Sequence, residues 1–127
     1  MSSAAKTVKL PGPEHPITIA RNDKRVRVTF AGRIVADTTR ALTLQETTYS
    51  PVAYIPREDA DMSLLVRTDR QTYCPYKGDA SYYSIKVGDR VAENAIWTYE
   101  KAYPAVAEIE GRLAFYRNRV DAIEEVV

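Results

Sequence analysis

The chain has one cysteine and one histidine among its 127 residues. A lone cysteine cannot close an internal disulfide, so no oxidising compartment is implied. Together the two residues fall short of a structural zinc site, which takes roughly four Cys or His ligands. No charge of either sign is in surplus: eighteen Lys and Arg against seventeen Asp and Glu leave +1. A nucleic-acid surface needs a clear basic excess, so nucleic acid is not an expected partner. The locally basic run from Arg21 to Arg27 reads as a solvated strand face or edge. No stretch approaches the ~18 apolar residues of a membrane helix, and the opening MSSAAKTVKLPGPEHP lacks the apolar core of a signal peptide. The expectation is a cytoplasmic protein with no membrane partner.

What remains is ordinary globular material, 45% hydrophobic and 28% charged, in a length that suits one domain. Residues 1–14, with Pro11, Gly12 and Pro13, read as an irregular arm, and 15–127 as a single β-rich domain. Arg25–Phe30 alternates, with Val26, Val28 and Phe30 on one face, and Ala31-Gly32 turns it back into Arg33–Asp37 as a hairpin. Ala41–Thr47 puts Leu42, Leu44 and Glu46 in one row, though its composition also allows a short helix. Val52–Pro56 reads as a strand and Arg57–Asp61 as a polar turn. Met62–Arg67 starts as a turn of helix before extending.

Ala80–Val87 alternates, with Tyr83, Ile85 and Val87 on one face and Tyr82, Ser84 and Lys86 on the other. Ala95–Tyr99 carries the only tryptophan. Pro104–Glu110 opens with proline and stops at Gly111, as a short helix does. Arg112–Tyr116 and Val120–Ile123 complete the pattern. Six to eight short strands with one or two brief helices predict a mainly β fold, a single barrel-like or bent two-sheet domain.

The stretch TYCPYKGDASYY, from Thr72 to Tyr83, concentrates candidate chemistry. A thiolate at Cys74 would be favoured by a nearby cation such as Lys77. Lys77 and adjacent amides suit a phosphate or carboxylate, and Tyr76 and Tyr82 supply flat walls with polar tips. The structural alternative is a turn between two strands, with Pro75 and Gly78 shaping it and Cys74 a small buried hydrophobe. Glu46, at the end of an apolar row, needs a cation if it points inward, and Lys77 or Arg57 would serve. That pair is either an acid–base centre or a satisfied structural ion pair. His15, in an extended arm beside Pro16, reads as a capping or hydrogen-bonding group. Its distance in sequence from Cys74 argues against a Cys–His dyad. Trp97 and Tyr99 share a strand face, as core or as pocket wall. Glu58, Asp59 and Asp61 form an acidic turn able to offer Mg²⁺ oxygen ligands, or simply solvated.

His15-Pro16-Ile17, Ala36-Asp37-Thr38, Glu46, the run from Tyr54 to Asp59, Cys74-Pro75-Tyr76-Lys77-Gly78 and Trp97-Thr98-Tyr99 recur as one set. On these blocks the chain, over roughly residues 14 to 124, resembles the small bacterial and fungal family known as domain of unknown function 427. The resemblance implies a compact, mostly β domain, and it carries a nucleotidyltransferase label. Asp59 and Asp61 have the alternate spacing that two-metal chemistry uses. The small-residue loop and strand–helix setting of such enzymes are missing around them.

The leading functional expectation is recognition of a small polar or anionic molecule in a pocket walled by Tyr54, Tyr76, Tyr82 and Trp97, with Lys77 and Arg57 as charge partners. No cofactor is required, Mg²⁺ staying open. One alternative is a small enzyme, using Glu46 and Lys77 as acid and base, Cys74 as a thiol, or Mg²⁺ for nucleotidyl transfer. The other is an interaction module in which exposed tyrosines and strand edges form a homodimer.

Overall fold

The two-residue loop Ala31-Gly32 sets the first hairpin. Both residues take positive φ, 50° and 79°, the left-handed pair that a tight hairpin with native twist demands. The loop joins strand β2 (Arg25–Phe30) to β3 (Arg33–Thr38), as its sequence predicts. The computed structural model describes residues 6–126. Within them ten strands form three antiparallel sheets. The first contains β1 (Ile17–Asn22), β4 (Ala41–Glu46) and β5 (Val52–Tyr54), in the order β1-β4-β5. The second adds β10 (Ala122–Val126) to the hairpin, in the order β10-β2-β3. The third runs in chain order through β6 (Leu65–Cys74), β7 (Gly78–Val87), β8 (Arg90–Thr98) and β9 (Leu113–Phe115).

β7 explains how the sheets pack. Its Tyr83 and Ile85 join the cluster of Val26, Val28, Phe30 and Val35 from the second sheet. Its Ala80 and Tyr82 join Leu42, Leu44 and Tyr54 from the first. The third sheet therefore has apolar cover on both faces, and the period-two pattern of Ala80–Val87 serves two cores at once. A bridge between Ile55 and Leu113 ties the end of β5 to β9, but among the described residues the sheets close no barrel.

The mainly β expectation holds, with three corrections. Among the described residues there are ten strands rather than six to eight, and three sheets rather than one barrel or two. Of the two readings open for Ala41–Thr47, the alternating one is borne out over Ala41–Glu46, because β1 and β5 pair with both edges of the strand. The short helices are 3₁₀ turns at Arg57–Asp59, Met62–Leu64, Pro104–Ile109 and Arg117–Arg119. In the third of these Val106 and Ile109 are fully buried. The last strand begins at Ala122, beyond the expected start at Val120, which is itself buried. Of the expected arm at 1–14, residues 1–5 lie outside the described residues. The rest bonds to the β6–β7 hairpin: the Lys9 amide donates to the Pro75 carbonyl, and the Tyr73 hydroxyl to the Thr7 carbonyl. No helix among the described residues is long and apolar enough to cross a membrane.

Candidate functional site

The hairpin between β6 and β7 contains the CPYKG block. The Lys77 amide donates to the Cys74 carbonyl at 3.2 Å, closing a turn in which Pro75 takes the position that its fixed φ suits. Gly78 then adopts φ +116°, and a Cβ there would meet the Lys101 carbonyl oxygen at 3.0 Å. Its neighbour is locked as well, since the Lys77 carbonyl accepts from the Tyr103 amide. This rigid turn directs Lys77 inward, leaving its side chain 10% exposed.

Glu46 meets it from β4. Leu42, Leu44 and Glu46 lie in one row, as the alternation predicts: the two leucines enter the core, and Leu44 and Glu46 both line a cavity of about 230 Å³. Lys77 Nζ donates to Glu46 Oε1 at 2.5 Å, and His15 Nε2 contacts Oε2 at 2.6 Å. The β1–β4 register causes the second contact. Ile17 pairs with Glu46, and the Thr47 amide donates to the Pro16 carbonyl, which brings His15 alongside the carboxylate. The His15 ring stacks flat on Tyr76, centroids 3.9 Å apart, so the turn orients both His15 and Lys77. Burial pushes the Glu46 carboxyl up, but the hydrogen bonds from Lys77 and His15 outweigh it and hold the group below its ordinary value.

Aromatic rings build the rest of the cavity. Tyr54, Tyr82, Trp97, Tyr99 and Tyr116 line it with Glu46 and Lys77. Trp97 Nε1 donates to the Tyr54 hydroxyl at 3.2 Å, and the two rings meet edge to face. Burial raises both the Tyr54 and Tyr99 phenols well above their ordinary value, so both stay protonated and able to donate. Tyr82 shares hydrogen bonds with Thr72 and Tyr116, and Arg70 lies over its ring. Burial raises Tyr82 too, yet the bonds from Thr72, Tyr116 and Arg70 outweigh it and lower the group. Tyr116 is pushed up to about 12 by burial and by its bond to Tyr82.

Of the residues expected at the site, Glu46, Lys77, Tyr54, Tyr82 and Trp97 line one cavity. Tyr76 stands behind His15. Cys74 packs beside the apolar cluster with its Sγ 3.8 Å from Lys77 Nζ. Arg57 is not brought to this group. Its guanidinium donates to the Tyr83 hydroxyl at 3.0 Å, and Tyr83 faces the other core from Tyr82. The acidic turn is engaged separately: Asp59 accepts from Thr38 and Arg40, Glu58 from Arg40, and Asp61 caps Ser63. Among the described residues no group of three or more His, Cys, Asp and Glu is placed to hold a metal ion.

The hydrogen-bonding role expected of His15 is the one it plays, at Glu46, whereas Tyr116 was passed over. The signal for His15 was present, because an antiparallel β1–β4 pair brings the residues before Ile17 beside those after Glu46. Tyr116 gave no such sign, since its role depends on β9 pairing with β8 and on the bridge that ties β9 to the end of β5.

A family described as "Domain of unknown function (DUF427)" matches residues 18–126, a span that contains every cavity residue named here; His15, the partner of Glu46, lies just upstream. No curated protein matches the chain. With the match running through nearly all of its length, the chain belongs to the DUF427 family.

Proposed function

We propose that this domain recognises a small polar or anionic molecule in the cavity beside Lys77. The observation that carries this reading is a secluded Lys77–Glu46 pair in the wall of an open, aromatic-lined cavity. Small-molecule sites combine apolar walls with a few fixed polar groups, and Leu44, Val52 and the rings supply the first. Lys77 supplies the principal charge. Glu46 keeps its second oxygen on His15, so a ligand can compete for Lys77 without leaving the carboxylate unpartnered. Arg57, bonded to Tyr83 on the far side of β7, takes no part in this pocket.

The test is a thermal-shift screen of the wild type and Lys77→Ala against nucleotides, sugar phosphates, carboxylates and amides, with and without Mg²⁺. A ligand at ~100 times its dissociation constant adds ~2.7 kcal/mol to the native state. A stabilising compound that fails on folded Lys77→Ala supports the reading. Silence across the panel, or hits indifferent to Lys77, overturns it.

One observation favours a second reading, an acid–base enzyme. Glu46 joins an ammonium and an imidazole through separate oxygens, an arrangement that holds and relays protons. Turnover of a bound compound that collapses in Glu46→Gln, with binding retained, supports it. Binding without any turnover leaves the recognition reading alone.

A further inference from the structure

Open space on this side of the molecule extends beyond the cavity at Lys77. A second cavity of about 270 Å³ adjoins it, and the two share Ser50, Val52, Trp97 and Tyr116 as walls. Its character is opposite. Val28, Ile55, Phe115 and Ile123 line it, and Arg117 is the one charged side chain among its described lining residues.

The topology explains why this space exists. β5 is an edge of the first sheet and β10 an edge of the second, and among the described residues no ladder joins them. Ala53 on β5 and Ile123 on β10 both line the cavity at the seam, with Trp97 and Phe115 contributed by the third sheet. Open apolar volume costs stability, because its lining atoms lack partners. Such a seam fits a site that an apolar group fills.

The polar end limits what the other part of such a ligand can be. Lys77 and Glu46 lie side by side and balance each other's charge. A bare anion accepting from Lys77 would also face the Glu46 carboxylate. A neutral head that donates to Glu46 and accepts from Lys77 satisfies both. The Trp97 and Tyr116 rings, 4.5 Å apart and tilted by 45°, line both cavities and so form the boundary that a tail reaching from the head into the seam has to cross.

We propose that one small amphiphile spans both cavities, with a primary amide or similar donor–acceptor head at Lys77–Glu46 and an aliphatic tail in the seam between β5 and β10. This rests on the recognition reading above and narrows its ligand class.

Straight-chain primary amides from butyramide to octanamide test it, titrated while following Trp97 fluorescence and the unfolding temperature. Wild-type affinity should rise about three- to fourfold for each added methylene until the seam is filled. Lys77→Met should weaken every member, and Ala53→Phe, which fills the seam, should flatten the rise with length. If Ala53→Phe does not fold, Ile123→Ser, which makes the seam wall polar, should reduce the gain per methylene. Lys77-dependent binding with no dependence on chain length would leave the recognition reading standing and overturn the amphiphile. A rise with length untouched by both seam variants would place the tail elsewhere and overturn it equally. Failure of every amide also overturns it; hits for other compounds in the wider screen would then show that the recognition reading had survived alone.

Discussion

Lys77 Nζ and Glu46 Oε1 lie 2.5 Å apart, although the two residues are thirty-one positions apart in the chain. Lys77→Met keeps most of the apolar stem but removes the ammonium, leaving Glu46 with His15 alone. Losing one partner of a secluded polar pair costs roughly 1–3 kcal/mol. Glu46→Gln should cost less, because the amide oxygen still accepts from Lys77. The double variant should lose less than the two single losses added together, as coupled residues do. Urea unfolding of all four proteins measures this, and strict additivity would show that the contact carries no energy.

The pH dependence of stability follows from the same carboxylate. Burial raises the Glu46 carboxyl, and the hydrogen bonds from Lys77 and His15 more than reverse that, so its folded value lies below the ordinary 4.5. A group depressed in this way stabilises the fold above its unfolded value, and the contribution is lost as pH falls through the folded value. The wild-type unfolding temperature should therefore drop on acidification below about pH 4.5. Glu46→Gln should drop less, having no charge there to lose. Asp37, held down by Arg25, titrates in both proteins and so cancels in the comparison. Parallel curves for the two would contradict the assignment.

Gly78 provides a purely steric prediction. Its φ of +116° and the Lys101 oxygen 3.0 Å from a modest Cβ leave alanine strained twice over. Gly78→Ala should cost roughly 1–3 kcal/mol. It should also shift the Lys77 turn, which the Lys77–Tyr103 backbone bond anchors nearby. Gly88→Ala is the control: φ is +57°, nothing lies within 4 Å, and the cost should be about 1 kcal/mol. Equal losses in chemical denaturation would mean that the contact with Lys101 is irrelevant.

How legible these features were depends on whether the physics was local. The alternations of Arg25–Phe30 and Ala80–Val87 announced strands because opposite faces meet different surroundings. β6 was readable only at its ends. It is the edge of its sheet, mostly exposed or half-buried, and its register shifts between Arg67 and Gln71, so no apolar period marks LVRTDRQTYC. The inward aim of Glu46 was legible from Leu42 and Leu44, and the shared face of Trp97 and Tyr99 from their spacing. Which cation Glu46 would find was not. Lys77 and Arg57 are equally plausible in sequence, and only the packing of β7 sends one to each face.

Tyr82 and Tyr116 should titrate far apart despite being hydrogen-bonded. Tyr116 is pushed up to about 12, by burial first and then by Tyr82. Tyr82 is lowered overall, because its bonds to Thr72, Tyr116 and Arg70 overcome burial. Tyr116→Phe removes one of those bonds, so the Tyr82 phenol should ionise at higher pH than in the wild type. Ultraviolet difference titration, with Tyr82→Phe identifying the step, reads the change. An unmoved or lowered Tyr82 step would show that Tyr116 does not support the phenolate.

Arg57 separates a local cavity from a generally basic surface. Its guanidinium lies 3.0 Å from the Tyr83 hydroxyl and stacks 5.7 Å from that ring, on the face of β7 opposite Tyr82. Arg57→Ala should lose only the net worth of that contact, about 0.5–1.5 kcal/mol. If the ligand sits beside Lys77, its stabilisation of the protein should be unchanged by Arg57→Ala and lost in Lys77→Met. Both proteins lose one positive charge, so a long-range electrostatic effect would weaken binding in each. Comparing ligand-induced shifts in unfolding temperature at low and high salt distinguishes the cases, because long-range attraction is screened within a Debye length of about 10 Å at 0.1 M. Equal, salt-sensitive losses would move the site off the cavity wall and onto the charged surface.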